Sequence, residues 1–248
     1  MEDEWVIGID EAGRGPVIGP LVVTALAVPT KDLPLLKEMG VKDSKELSAP
    51  QRLKIKSKII TMIDTHDWRI GTIICSPKRI DLNKLDSDLN SLEIDLFAEA
   101  INATSSSLKS GIIRADACDV DEVRFAQRLR EKIDGEWSRW VVEAEHGMDT
   151  KDLVTGGASI IAKVTRDSEI KEIESRTGIE IGSGYPSDQK TRIAVKKLLE
   201  NKSPHDCLRW SWATVSDIWT EVHGTPVPIR NRNGGSIVQS TLEDWRRR

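Results

Sequence analysis

Cysteine is scarce in this chain. Cys75, Cys118 and Cys207 are the only three in 248 residues. Their wide spacing gives neither a Cys-x-x-Cys metal pair nor a disulfide framework, and a reducing cytoplasm is the natural setting. No apolar run approaches the roughly 20 residues that cross a bilayer, so no membrane partner is expected. The opening Met1-Glu2-Asp3-Glu4 is acidic, the reverse of a secretory leader. A basic excess is missing as well: 36 Lys and Arg against 40 Asp and Glu leave a net charge of -4. That balance is unfavourable for a nucleic-acid binder, whose affinity comes largely from phosphate neutralisation. An enzyme with an acidic metal site tolerates it, because local patches decide. Aromatic residues are few and skewed, with eight Trp, two Phe and one Tyr. Hydrophobic residues at 38% are enough for a core and exclude a wholly disordered chain. The length suits one large domain or a domain with an appendage.

What is present alternates between β-rich and amphipathic runs. Trp5 to Asp10 and Leu21 to Val28 are separated by a Gly/Pro turn and predict a hairpin. Further strands are expected at Trp68 to Cys75, Ile112 to Asp116 and Trp140 to Glu145. Ala49-Pro50 opens a helix to about Ile63, with Leu53, Ile55, Ile59, Ile60 and Ile63 near helical spacing. Helices are also expected at Leu89 to Ala103, Asp121 to Ile133, Ala158 to Ser175, Ser187 to Asn201 and Ala213 to His223. A hairpin followed by strand-helix alternation gives an α/β fold, a mixed sheet flanked by helices. Most of the tryptophans read as core.

The chemistry concentrates in Gly8-Ile9-Asp10-Glu11-Ala12-Gly13-Arg14-Gly15-Pro16. Adjacent carboxylates at the end of an apolar strand can hold a hard divalent cation through oxygen. The glycines beside Arg14 let backbone amides approach a phosphate or sugar edge, because no Cβ blocks them. Neighbouring strand residues point to opposite faces, so Asp10 and Glu11 converge only if the chain bends at Glu11. Asp116 ends another apolar strand and is a second candidate ligand, whereas Asp119 and Asp121 precede a helix and read as caps. Tyr185 stands in the Gly/Pro loop Gly182-Ser183-Gly184-Tyr185-Pro186, with nothing local to pack on. Its flat ring in a flexible loop can stack on a base or sugar. Gly156-Gly157-Ala158-Ser159 reads as a helix start with amides free for an anion. Ser159, Lys163 and Arg166 recur there at helical spacing, although Arg166-Asp167 is equally a local pair.

The Asp-Glu-Ala-Gly-Arg-Gly string resembles the opening signature of type 2 ribonuclease H (ribonuclease HII), and the resemblance runs from about Val6 to Trp219. It implies a ribonuclease H-like fold with a helical C-terminal portion, residues 1–224, and an endoribonuclease acting on RNA-DNA hybrids and on ribonucleotides embedded in duplex DNA. Two-metal hydrolysis with Mg2+ or Mn2+ would leave 5'-phosphate and 3'-hydroxyl ends. Asp10, Glu11, Asp116 and Asp149 become the metal-binding acids. The last follows His146-Gly147-Met148, where the family has a His-Lys-Ala-Asp-like string, and Asp152 is its rival. Four gathered carboxylates repel one another, a penalty that divalent cations remove. The resemblance further makes Lys45, in Asp43-Ser44-Lys45, a phosphate contact, although the stretch alone is a polar helix start. It places Tyr185 with Gly13, Arg14 and Gly15 against the ribonucleotide, whose 2'-hydroxyl separates RNA from DNA. Leu208-Arg209-Trp210-Ser211-Trp212 resembles the family's Arg-x-Ser-Trp string, as a DNA-strand contact or a helix anchor. Two other readings are an idle nucleic-acid-binding subunit and a DNA-directed nuclease of the same fold. A monomer is expected.

Residues 225–248 read as a flexible tail, a polar linker with little to bury that leads to three terminal arginines. Gln239-x-x-Leu242-x-x-Trp245 resembles the motif that grips the sliding clamp PCNA, with Leu242 and Trp245 on one helical face. Arg246 stands where that motif has a second aromatic, and the alternative is a basic tail with general DNA affinity.

Overall fold

The computed structural model describes residues 4–104, 108, 110–133, 135, 137–232 and 236–237. In chain order the strands are β1 (Trp5–Ala12), β2 (Leu21–Pro29), β3 (Arg69–Cys75), β4 (Gly111–Asp116), β5 (Val141–Glu145), β6 (Ile229–Arg230) and β7 (Ser236–Ile237). The helices are α1 (Leu33–Met39), α2 (Ala49–His66), α3 (Pro77–Asn83), α4 (Leu89–Ala103), α5 (Glu122–Lys132), α6 (Met148–Lys151), α7 (Leu153–Thr177), α8 (Gln189–Leu198) and α9 (Ala213–His223). The chain divides into two compact units. One comprises Met1–Ala12, Val22–Ile74 and Asn90–Arg166, the other Gly13–Leu21, Cys75–Leu89 and Asp167–Arg248.

The first unit is built on a mixed sheet of order β3-β2-β1-β4-β5. The expected hairpin forms: β1 and β2 pair antiparallel from Trp5↔Pro29 to Ala12↔Val22. β1 pairs parallel with β4, and β4 parallel with β5, so three strands deliver their C-terminal ends to one edge. Ile9↔Ala115 and Asp116↔Glu145 set the register that brings Asp10, Asp116 and the residues after Glu145 to that edge. β2 is buried along its whole length, as its unbroken apolar run requires. Helix α7 packs on this sheet at a backbone-to-backbone approach. A Cβ on Gly8 would fall 2.1 Å from the Thr155 backbone nitrogen, so only glycine lets β1 and the start of α7 meet. Around this contact, Val6, Leu26, Ile59, Trp68, Val154 and Ile161 share one buried cluster. On α2 only Ile55 and Ile59 of the apolar positions are buried, and Leu53 and Ile60 face solvent.

The second unit has its own core, with Val17, Ile18, Ile173, Leu198, Trp210 and Trp219 among its members. The stretch after Gly224, expected to bury little, contains a buried cation. Arg230 ion-pairs with buried Asp81 at 2.8 Å and with Asp206 at 2.7 Å. It also donates to the carbonyls of Asp206 and Leu208, and β6 pairs antiparallel with β7. An arginine in a polar, Pro-flanked run carries no local sign that distant acids will enclose it. Gln239, Leu242 and Trp245 lie outside the described residues.

Gly8→Ala is expected to cost at least about 2 kcal/mol and to lower the melting temperature by about 5 °C. A thermal unfolding scan against the unaltered protein checks this, and an unchanged midpoint would refute the tight β1–α7 contact.

Candidate active site

Three carboxylates meet where the parallel strands end. Asp10, Asp116 and Asp149 each offer an oxygen within 4.8 Å of the others. Asp10 comes from β1, Asp116 from the last position of β4, and Asp149 from the one-turn helix α6 just after β5. Asp116 is held by its neighbours: its Oδ1 accepts from the Gly147 and Met148 amides at 2.8 and 3.3 Å. Gly147 is left-handed, with φ +67°, a conformation glycine adopts without strain. The Gly-Met that replaces the family's Lys-Ala therefore fits the turn it must make. The rival Asp152 is otherwise engaged. It pairs with Arg114 at 2.8 Å and accepts the Thr155 amide at 2.8 Å as α7 begins.

Asp10 is only 5% exposed, and its surroundings disfavour its charge. Burial, then the Asp116 and Asp149 carboxylates, push it up to about 7, against the opposing hydrogen bonds from Ser159 and the Glu11 amide. Asp116 and Asp149 are also raised, first by burial, and both feel the opposing Lys45 ammonium. Asp149 Oδ1 is buried without a hydrogen-bond partner. An all-oxygen, mutually repelling set with an orphaned acceptor fits a hard divalent cation and suits zinc poorly.

Several expectations need correction. β1 does not bend at Glu11, because Glu11↔Val23 and Ala12↔Val22 continue the ladder. Glu11 accordingly leaves the Asp10 face and groups with buried Glu93 and with Cys118, one donor atom of each within 4.8 Å of the others. Helix α7 starts at Leu153, not Ala158, so Gly156 and Gly157 lie inside it. The Gly156 amide donates to the Asp152 carbonyl at 2.9 Å and is not offered to an anion. The two glycines serve close packing, since added Cβ atoms would lie 2.8 Å from the Asp149 carbonyl oxygen and 2.8 Å from Leu26. Ser159 and Arg166 are both buried and only Lys163 is partly exposed, so the three do not form a surface row. Asp121 caps α5 as expected, accepting the Arg124 amide at 2.9 Å, while Asp119 pairs with the Arg124 side chain.

Ser159 and Lys45 are brought to the carboxylates, as their charge and hydrogen-bond effects on Asp10, Asp116 and Asp149 show. Ser44 belongs there too and went unnoticed in the sequence. Its hydroxyl lies 3.1 Å from that of Ser159, and both are buried. Ser44, beside Lys45, opens a short 3-10 turn (Ser44–Glu46) started by Asp43, whose carboxylate accepts the Lys45 amide at 2.8 Å.

In the second unit the Gly13-Arg14-Gly15 loop and Tyr185 come together. A Cβ on Gly15 would sit 3.3 Å from the tyrosine ring, so the ring rests on a glycine backbone while remaining 42% exposed. The loop that carries Tyr185 is pinned. Asp188 accepts the Ser183 amide at 2.7 Å and hydroxyl at 2.9 Å, bonds that pull its pKa down to about 2. The Gly184 carbonyl accepts the Val17 amide at 2.8 Å.

A mixed sheet that gathers aspartates at the ends of parallel strands defines a hydrolase of the ribonuclease H type. The family description "Ribonuclease HII" matches residues 7–215. The ribonuclease HII of Pyrococcus furiosus is 42% identical over 215 residues, 85% of this chain and 89% of that protein. That of Methanocella arvoryzae is 40% identical over 211 residues, 84% and 89%. Among solved structures, the ribonuclease H2 of Pyrococcus horikoshii superposes with a TM-score of 0.78 at 37% identity, covering 88% of this chain and 98% of that one. The ribonuclease HII in a PCNA complex from Archaeoglobus fulgidus gives 0.73 at 34%, covering 96% and 99%. The chain belongs to the ribonuclease HII family, and with it to the endoribonucleases that act on RNA-DNA hybrids.

Asp10→Asn removes a charge that the metal-free fold accommodates poorly. With the folded pKa above the ordinary value of 3.8, Asp10 contributes fully below that value, and stability falls as pH rises through about 7. Without metal, Asp10→Asn should therefore melt higher than wild type at pH 8, with the difference closing towards pH 4, while cleavage is lost. Equal melting temperatures at pH 8 in EDTA would contradict the assignment.

Proposed function

We propose that this ribonuclease HII cleaves the RNA strand of hybrids and also single ribonucleotides within duplex DNA, at the Asp10, Asp116 and Asp149 centre. The observation that carries this is the convergence of three carboxylates, Asp10 and Asp149 buried and Asp116 half-buried, whose pKa values are all raised. Mg2+ or Mn2+, as two ions in the catalytic state, would neutralise the cluster, polarise the attacking water and stabilise the leaving oxygen. Hydrolysis adds water across the P–O3' bond and leaves a 5'-phosphate and a 3'-hydroxyl. Asp116 is pre-oriented by the Gly147 and Met148 amides, and Asp10 by Ser159. Lys45 adds a positive charge to which a phosphate is attracted, and Lys163 and Ser159 extend the contact along α7. Glu11 enters as the fourth acid on the family resemblance alone.

Gly13, Arg14, Gly15 and Tyr185 read the ribonucleotide in this account. The exposed ring, seated on Gly15 and held by a braced loop, offers a flat apolar platform at small entropic cost. That combination favours ribose recognition over DNA-directed cleavage, and the preserved Asp10, Asp116 and Asp149 favour catalysis over an idle subunit.

Gln239, Leu242 and Trp245 are proposed to bind the sliding clamp, supported by their spacing and by the Archaeoglobus fulgidus relative solved with PCNA. The protein is proposed to act in the cytoplasm as a monomer. Among the described residues no helix is long and apolar enough to cross a membrane.

Tyr185→Ala should lower activity on a duplex bearing one ribonucleotide about ten-fold, the loss of roughly 1 to 3 kcal/mol of stacking. Unchanged turnover on that duplex, with an all-DNA control uncut, would make Tyr185 a loop residue only. The Gln239 to Arg248 peptide should bind clamp more tightly than its Leu242→Ala, Trp245→Ala counterpart in a calorimetric titration. Equal affinity would leave only the charge.

A further inference from the structure

Arg209 is fully buried, and its guanidinium reaches three backbone carbonyls. It spends its fork on backbone oxygens. Nε donates to the Gly19 carbonyl at 3.1 Å, Nη1 to that of Arg14 at 2.7 Å, and Nη2 to that of Gly13. The Trp212 indole, 4.9 Å from the guanidinium carbon by its ring centre, donates to the Gly15 carbonyl at 3.3 Å. The backbone locks the same pairing. Ile18 and Leu208 form an antiparallel bridge, the Arg209 amide donates to the Val17 carbonyl at 3.0 Å, and the Gly19 amide to that of Cys207 at 2.9 Å.

The consequence follows from peptide geometry. Among the described residues no peptide bond is cis, and in a trans peptide the carbonyl of one residue and the amide N–H of the next point in opposite directions. With the Gly13 and Arg14 carbonyls drawn onto Arg209, the N–H groups of Arg14 and Gly15 face away from it. Gly13, at φ +93°, makes the turn that this requires. We propose that Arg209 is the positioning residue of the ribonucleotide-reading loop, a buried strut that turns two consecutive loop amides outward, with Trp212 fixing the third carbonyl. The proposal rests on the reading of Gly13 to Gly15 given above. It assigns the Arg-Trp-Ser-Trp segment a role that is neither a DNA contact nor a plain helix anchor. A lysine cannot substitute, because a point charge on a flexible stem does not span three carbonyls in fixed directions as a planar fork does.

The test compares wild type, Arg209→Lys and Trp212→Phe on a duplex with one ribonucleotide. The matched all-DNA duplex serves as competitor, and circular dichroism and thermal melting report the fold. Arg209→Lys should raise KM about ten-fold or more, hold kcat within about three-fold, and narrow the preference for the ribonucleotide duplex over the competitor. A fall in kcat alone, with KM and preference unchanged, is the mark of a smaller folded fraction and overturns the strut. If Arg209→Lys does not fold, Trp212→Phe decides. It removes the indole donor to Gly15 and trims the ring beside the guanidinium, and should raise KM about three-fold with the fold retained by circular dichroism, whereas an unaltered KM overturns the proposal. A wild type that binds both duplexes alike overturns the reading of the loop itself, an outcome distinct from a discriminating wild type with an equally discriminating Arg209→Lys.

Discussion

Three aspartates whose carboxylate oxygens lie within 4.8 Å of one another, two of them buried, are the constraint on which the rest of the first unit depends. Burial and mutual repulsion drive Asp10 to about 7 and raise its two neighbours. The fold tolerates this because each acid is anchored by a different kind of element. A central strand carries Asp10, the end of its parallel neighbour carries Asp116, and a single helical turn carries Asp149. Parallel pairing is what makes the convergence possible, since it alone puts the C-terminal ends of β1, β4 and β5 on one side. The glycine at position 8 then lets α7 press onto β1 closely enough for Ser159 to reach Asp10.

The second unit uses the opposite strategy. There several buried or turn-forming polar groups are matched before any ligand arrives. Arg209 satisfies loop carbonyls, Asp188 satisfies a turn, and Arg230 closes on Asp81 and Asp206. In the proposed function, an electrostatically frustrated centre and a pre-satisfied loop would divide the labour as catalysis by differential binding requires: strain where charge is to be neutralised, rigidity where shape is to be read.

Much of this was legible in the chain before folding was considered. β1, β2 and β4 announce themselves as apolar runs, and Asp10 and Asp116 follow directly on two of them. Asp149 was harder, because α6 is one turn long and carries no periodicity. Its rival, Asp152, is set aside only by the structure, which gives it Arg114 and the start of α7 as partners. Glycine misled at 156 and 157. The sequence suggests freed amides, but the same residues also permit close packing inside a helix, and only the position of Leu26 and the Asp149 carbonyl decides between the two. Buried arginines were invisible. Arg209 and Arg230 are enclosed by partners far off in the chain, and nothing in their local context distinguishes them from surface cations. At Glu11 alternation and motif part: a strand that stays straight turns it from the Asp10 face towards Glu93 and Cys118, and only the family resemblance makes it a fourth acid.

The central claim is that a divalent cation replaces a proton on a carboxylate cluster. Calorimetric titration of Mg2+ into the protein, in buffers of different ionisation enthalpy at pH 6.5 and at pH 9, tests it most directly. Because Asp10 titrates at about 7, binding should expel protons at pH 6.5 and expel none at pH 9. Binding with no proton release at either pH would mean that the cluster is already fully charged, and would contradict the account.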